Sequence, residues 1–272
     1  ERRLVDVVIP APFLTLAHDL PVAEFVALAR PAGCKVYPAV YDWTNWRALP
    51  AAPSPLWPFR GDSGPADDGP VMTRLATPAL IAGAVANYRR QGADGFQLYN
   101  FKLPLRPDDR ESAEILGDPG ATGRRPRIYA VTHAFFHDEE DSFQYRKPLP
   151  RALAPGTAAT LALFVGEEVS PAAAGEVVLR LGLRGVDAGS PVTVSLNGRV
   201  LVHGPAQSRL AAAAKQTRGD TATQYLELRV DPPSAVRPGP NEITVTVEAP
   251  APGAGPAKPV ALIECQLGIV PR

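Results

Sequence analysis

The side chains best suited to chemistry in this 272-residue chain collect where short apolar runs stop. The stretch 92–102, GADGFQLYNFK, reads as a helix end, a tight turn and a buried strand that closes on Asn100. The stretch 36–42, VYPAVYD, closes in the same manner on Tyr41 and Asp42. Asn100 offers an amide to a ligand hydroxyl, or ties the strand end to its own loop. Asp42 offers a carboxylate, or caps the loop that follows it. Trp43, Trp46 and Trp57 crowd into fifteen residues just beyond, and their flat rings suit a cleft for a neutral sugar or the anchoring of a loop. His18 stands beside Asp19, a pair that could position a polar substrate or simply make a turn. Strand alternation leaves open whether Tyr41 and Tyr99 face the strand-end mouth or the opposite layer.

Other chemistries find no support. His133 and His137 are four apart before an acidic run, but THAFFHDEED lacks the HExxH order, so a solvated acidic segment is preferred to a metal site. No nucleophile elbow, phosphate loop or dinucleotide-binding glycine turn is present, and no metal or cofactor is expected. Cys34 and Cys265 are the only cysteines, read as two buried free thiols. The 28 basic residues balance the 28 acidic ones, which removes the electrostatic footprint of a nucleic-acid or anionic-membrane binder. No apolar run reaches the roughly 20 residues that span a bilayer. A neutral partner fits this balance. The chain begins at Glu1, consistent with a mature or excised portion of a longer product, so its compartment is not legible.

The elements that must position these residues change character near 145. Before it, strand and helix alternate. A β-rich run at 4–9 precedes an amphipathic helix at 22–30, begun by Pro21 and stopped at Gly33. The strand at 35–41 contains Pro38, which demands a bulge or a lost ladder bond. The loop 43–70 is long enough to suggest a functional role or disorder. The helix 77–91 has Thr77 as N-cap, Pro78 at its first position and Gly92 past its end. A third strand covers 96–101. After 145, β-prone runs at 160–165, 176–183, 192–202, 224–230, 242–248 and 259–269 alternate with turn residues, the pattern of an antiparallel sandwich. Asn197-Gly198 marks a hairpin and PGPN at 238–241 a second turn. One helical turn is expected at 211–214, and His203 looks structural.

Three parallel βα units are too few for a closed eight-stranded barrel, which typically takes ~250 residues. The pieces LVDVVIPAPF (4–13), PVAEFVALAR (21–30), VYPAVYD (36–42), GADGFQLYNF (92–101), EILGD (114–118), LNG (196–198) and RPGPNEI (237–243) together resemble bacterial glycoside-hydrolase-like proteins related to family 10 glycosyl hydrolases. The resemblance implies that residues 1–145 are the last strands of a TIM-type (β/α)8 barrel and that 146–272 form an antiparallel jelly-roll-like β-sandwich of the galactose-binding type. The earlier strands would then lie upstream of Glu1.

The implied function is hydrolysis of a poly- or oligosaccharide, with a noncatalytic carbohydrate-binding or structural module as the alternative. Such cleavage uses two carboxyl groups. By the resemblance the acid/base comes from the end of the fourth strand and the nucleophile from the end of the seventh, where Asp42 stands in place of the more usual Glu. Trp43, Trp46, Trp57, Asn100, His18 and Tyr41 become candidate substrate-binding residues. Carbohydrate is the expected ligand, and the missing barrel portion or another chain the expected protein partner. Secretion or export to the periplasm is implied as well. Tyr225 is the only aromatic residue from 166 to 272, so the sandwich is expected to pack rather than to stack on sugar.

Overall fold

Pro38 shapes the first sheet. In the computed structural model, residues 5–12, 16–44, 74–99, 101, 105, 107–118, 120, 122–131, 148–186, 192–201, 223–248 and 260–272 are described. The N-terminal elements are β1 (Val7–Val8), α1 (Val22–Ala29), β2 (Lys35–Val36) and β3 (Ala39–Tyr41). They are followed by β4 (Trp43–Thr44), β5 (Arg74–Leu75), α2 (Pro78–Arg90), β6 (Gln97–Tyr99) and α3 (Pro107–Gly117). β1 pairs with β2 and β3 with β6, both parallel.

β2 and β3 are one strand interrupted at the proline. The N–H groups of Lys35, Tyr37 and Ala39 donate to the carbonyls of Asp6, Val8 and Pro10, each at 2.9 Å. On the other side, the carbonyls of Val36 and Pro38 accept from Asp94 at 2.9 Å and Gln97 at 3.1 Å. The third strand therefore uses one more residue than the second between successive bonds. Pro38 has no N–H to give there, and the bulge absorbs the loss. The Asp94 carboxylate accepts from Val36 N–H at 2.9 Å, and a Cβ on Gly95 would sit 2.9 Å from the Tyr37 ring. The GADG run thus serves this junction.

α2 forms where its capping signals predict. The Thr77 hydroxyl accepts from Leu80 N–H at 3.3 Å, and Pro78 occupies the first turn. Every residue from Ala79 to Val85 is buried, as are Asn87 and Tyr88. A helix buried on nearly all sides must lie between two layers. β3 and α3 pack against it, and so does β7 (Arg127–Ala130).

β7 belongs to the second unit's sheet although it precedes residue 145. It pairs antiparallel with β15 (Val260–Pro271). The remaining strands are β8 (Arg151–Leu153), β9 (Ala158–Val165), β10 (Ala174–Arg184), β11 (Val192–Leu196), β12 (Arg199–Leu201), β13 (Thr223–Arg229) and β14 (Gly239–Val247). One sheet runs β13-β10-β15-β7 with β8 also on β15, and the other runs β12-β11-β14-β9. The result is β-rich and mostly antiparallel. Leu179, Leu181, Cys265 and Leu267 of the first sheet share a core with Leu161, Leu163, Ile243 and Val245 of the second.

Burial patterns explain the layering. β14 alternates between buried and more exposed positions, as a strand with one wet face must, whereas β10 and β15 are buried along most of their length. Their second face is covered: Ile128, Ala130 and Val178 join the core that contains α2. Gly83 and Gly166 permit this contact, since a Cβ on Gly83 would lie 2.1 Å from the Ile128 carbonyl oxygen and one on Gly166 would lie 2.2 Å from the Ala86 carbonyl carbon. Arg180 and Glu264, on the neighbouring strands β10 and β15, are both buried, with Nε and Oε1 3.6 Å apart.

The Asn-Gly hairpin forms as expected, with φ of 52° at Asn197 and 79° at Gly198, the left-handed pair that a two-residue turn of this hand requires. Asn197 Nδ2 donates to Asn241 Oδ1 at 2.8 Å and to the Ala235 carbonyl at 2.9 Å, while Asn241 Nδ2 donates to the Arg237 carbonyl at 2.7 Å. LNG and RPGPNEI are one polar knot. Cys265 is buried, but Cys34 is only half-buried, its thiol donating to the Val5 carbonyl at 3.0 Å. The 211–214 turn, His203 and the His133/His137 segment lie outside the described residues.

Candidate functional site

The parallel register of β3 and β6 pairs Tyr41 with Tyr99, so the two C-terminal strand ends coincide. Their rings stand 4.7 Å apart between centroids at an interplanar angle of 39°. Tyr41 is buried, while Tyr99 remains 44% exposed. One ring backs the other. Asp42 follows directly and is only 3% exposed. Its carbonyl accepts from Ala76 N–H at 2.6 Å, which fastens the chain after β5 to the end of β3. Trp43 opens β4 and pairs with Leu75 of β5, so the long segment that follows is pinned at its base. Trp46, Trp57 and Asn100 lie outside the described residues. The visible arrangement presents one aromatic face at the paired strand ends, while Asp42, next in the chain after Tyr41, is largely covered by the fold. Stacking is within its means.

His18 is not part of that group. It lines a separate cavity of about 570 Å³ between the α/β layer and the antiparallel sheets, and neither Tyr41 nor Asp42 borders it. Asn87 on α2 ties its two walls together, donating to the His18 carbonyl at 3.0 Å and to the Phe164 carbonyl of β9 at 3.1 Å. The Tyr88 hydroxyl donates to the Ala17 carbonyl. The loop carrying His18 is therefore fixed by its backbone. The imidazole is 1% exposed, and neither ring nitrogen has a hydrogen-bond partner among the described residues. Burial pushes its pKa down from 6.5 to about 3, so the ring is neutral at physiological pH.

The rest of the cavity wall escaped the sequence reading. Arg151 and Thr160 come from β8 and β9, Gln91 from the end of α2, and Glu24 from α1. Gln91 Oε1 accepts from Ala23 N–H at 3.2 Å, and Arg151 Nη1 donates to the Thr160 carbonyl at 2.8 Å. Only the packing of sheets on α2 brings these residues together, and no local motif signals it.

Other polar groups serve the scaffold. Arg89 Nη2 donates to the Leu116 carbonyl at 2.9 Å and the Ile115 carbonyl at 3.3 Å, satisfying the end of α3. The Tyr129 hydroxyl and Arg127 both bond the Glu167 carboxylate, and burial together with that carboxylate raises the Tyr129 pKa. Among the described residues no group of His, Cys, Asp and Glu could hold a metal ion, and no helix is long and apolar enough to cross a membrane.

No protein-family model matches the chain, and no curated protein does. Among solved structures it is similar to BuGH86wt in complex with neoagarooctaose, at 17% identity and TM-score 0.31 over 53% of this chain and 18% of that one. It is similar to a β-porphyranase of glycoside hydrolase family 86 from the human gut bacterium Bacteroides plebeius, at 12% identity and TM-score 0.31 over 54% and 21%. A structure of the Gt strain of infectious bursal disease virus is matched at 16% identity and TM-score 0.25 over 54% and 32%. The chain thus spans about a fifth of the length of the two glycoside-hydrolase structures. A virus matched over the same share of the chain as a porphyranase shows that likenesses of this size carry no argument about activity.

Proposed function

We propose that this chain belongs to a carbohydrate-active protein and that its glycan site lies at the paired ends of β3 and β6. The observation that carries this is the exposed Tyr99 ring, backed by Tyr41 where the parallel strands β3 and β6 end together. An exposed aromatic ring held rigid by a buried one is a stacking platform for the apolar face of a neutral sugar. The balanced charge of the chain supports a neutral ligand.

The finer reading rests on the sequence resemblance. Residues 1–145, apart from β7, are the late strands of a (β/α)8 barrel related to family 10 glycosyl hydrolases, and 146–272 together with β7 are a jelly-roll-like sandwich that packs against it. In that reading Trp43, Trp46, Trp57 and Asn100 border the same mouth, the protein is exported, and Asp42 is one of the two carboxylates that hydrolysis uses. The other would come from a different barrel strand. The 3% exposure of Asp42 favours a second reading, in which the mouth binds glycan without cleaving it.

Two substitutions in the full-length protein separate these readings. Tyr99→Ala should weaken binding of neutral oligosaccharides, measured by calorimetry, by about fivefold, the loss of one aromatic contact of roughly 1 kcal/mol. Unchanged affinity removes the site. Asp42→Asn should abolish release of reducing ends while leaving binding intact. Equal turnover with and without the substitution would exclude Asp42 as a catalytic group, and no turnover in either form leaves only the binding reading.

A further inference from the structure

The hairpin between β11 and β12 holds a chemically reactive pair, and we propose that Asn197 is a deamidation site that the fold keeps closed. Conversion to aspartate or isoaspartate then marks, irreversibly, a chain whose hairpin has opened. This stands apart from the glycan reading of the strand ends and holds even if they bind nothing.

The sequence supplies the reactivity. Asn197 alone among the asparagines precedes a glycine, and with no Cβ Gly198 leaves its backbone nitrogen free to approach the side chain before it. In a free segment that nitrogen gives its proton to solvent base and attacks Cγ of Asn197. The new C–N bond closes a succinimide, the bond from Cγ to the side-chain nitrogen breaks, and ammonia leaves. Water then opens the ring at one carbonyl or the other, giving aspartate or isoaspartate with no change of oxidation state.

The structure supplies the protection. Asn197 Nδ2 donates to the Ala235 carbonyl at 2.9 Å and to Asn241 Oδ1 at 2.8 Å, while its Oδ1 accepts from Glu242 N–H at 3.0 Å. Both protons of the departing nitrogen are engaged. The backbone N–H of Asn197 also donates to the Glu242 carbonyl at 2.8 Å, so main chain and side chain are both tied to β14 and its approach. For Gly198 to attack, the side-chain bonds must break together.

The product does not fit the same place. A carboxylate only accepts hydrogen bonds, so an oxygen in place of Nδ2 would face the Ala235 carbonyl and Asn241 Oδ1, two further acceptors. Asn241 is buried and cannot answer by turning its amide over. Its Oδ1 accepts from Arg237 N–H at 2.8 Å, and its Nδ2 donates to the carbonyls of Arg237 at 2.7 Å and Gly239 at 3.0 Å. Isoaspartate would in addition lengthen the main chain within a turn that depends on two left-handed residues.

The test incubates the whole chain at mildly alkaline pH in a urea series and follows the peptide carrying Asn197 by mass spectrometry. Conversion should be slow in buffer and rise with urea to the rate of a free peptide of residues 193–200. Asn241→Ala should raise the rate in buffer by about tenfold, the equivalent of the one or two hydrogen bonds removed. Asn197→Asp should unfold at lower urea than Asn197→Gly, which keeps the turn and adds no charge. The urea series decides the protection where Asn241→Ala does not fold. A rate in buffer equal to that of the free peptide, no conversion in high urea, or an Asn197→Asp as stable as the parent chain would each overturn the proposal.

Discussion

A histidine held neutral in the interior makes the molecule sensitive to acid. The unfolded chain takes up a proton on His18 below about pH 6.5, whereas the folded chain does not until about pH 3. Below 6.5 the unfolded state therefore binds more protons, and stability falls as pH drops through this window. At about 1.4 kcal/mol per pH unit, the loss amounts to several kcal/mol by pH 3. Replacing His18 with Leu should flatten the decline between pH 6.5 and 5, read from urea unfolding at each pH. Parallel curves for the two proteins would refute this assignment. The candidates named from sequence meet uneven fates at this scale. Tyr41 and Asp42 do stand at a strand end, because the apolar run before them had the length and composition of a buried strand. His18 was placed by its nearness to β1 in sequence, yet the connection carries it to α2, where hydrogen bonds to backbone carbonyls fix the loop. Side-chain identity at positions 17 and 18 plays little part in those bonds, so no local pattern could announce them.

α2 is the element on which the layers meet. Its start and stop were legible because capping is local: Thr77, Pro78 and Gly92 act within one turn of the helix ends. Its burial on two sides was not, because Gly83 and Gly166 meet partners far away in the chain. The same holds for β7, which precedes the change of composition near 145 yet hydrogen-bonds to β15. An ordinary reading of Gly83→Ala is stabilising, by about 1 kcal/mol of helix propensity. Here the added methyl would lie 2.1 Å from a backbone oxygen, which the strand can relieve only by moving. We expect a net destabilisation of about 1–3 kcal/mol for Gly83→Ala. Gly117→Ala, with nothing within 4 Å of the new atom, should be neutral or stabilising, and chemical denaturation of the pair checks both signs. A stabilised Gly83→Ala would mean that α2 and β7 are not in close contact.

At the scale of the whole molecule, the parallel strands and the antiparallel sheets should unfold together. α2 contributes to the core of the former, and Ala86 on the same helix packs against the core of the latter. All three tryptophans fall in sequence within residues 43–57, so fluorescence samples the N-terminal part, and the buried thiol of Cys265 samples the sheets. Fluorescence and thiol reactivity should therefore give one urea midpoint. A Cys265 that stays protected after the fluorescence has changed would show two separable units. The strand run and turn signals after 145 were readable from period-two alternation and Asn-Gly, because those act between neighbours. The pairing order was not, since β10 lies between β13 and β15 only through contacts distant in sequence.

The short ladder of β4 and β5 bears on how such a chain can change over time. Residues 45–73 leave and return through two paired positions, Trp43 with Leu75 and Thr44 with Arg74. With its ends already held together, doubling the length of such a segment adds only about 0.6 kcal/mol of closure entropy. Lineages could lengthen, shorten or replace this stretch while the scaffold beneath it keeps its register. Such changes would need no new fold, and the same two pairs mark where a foreign segment could be spliced in.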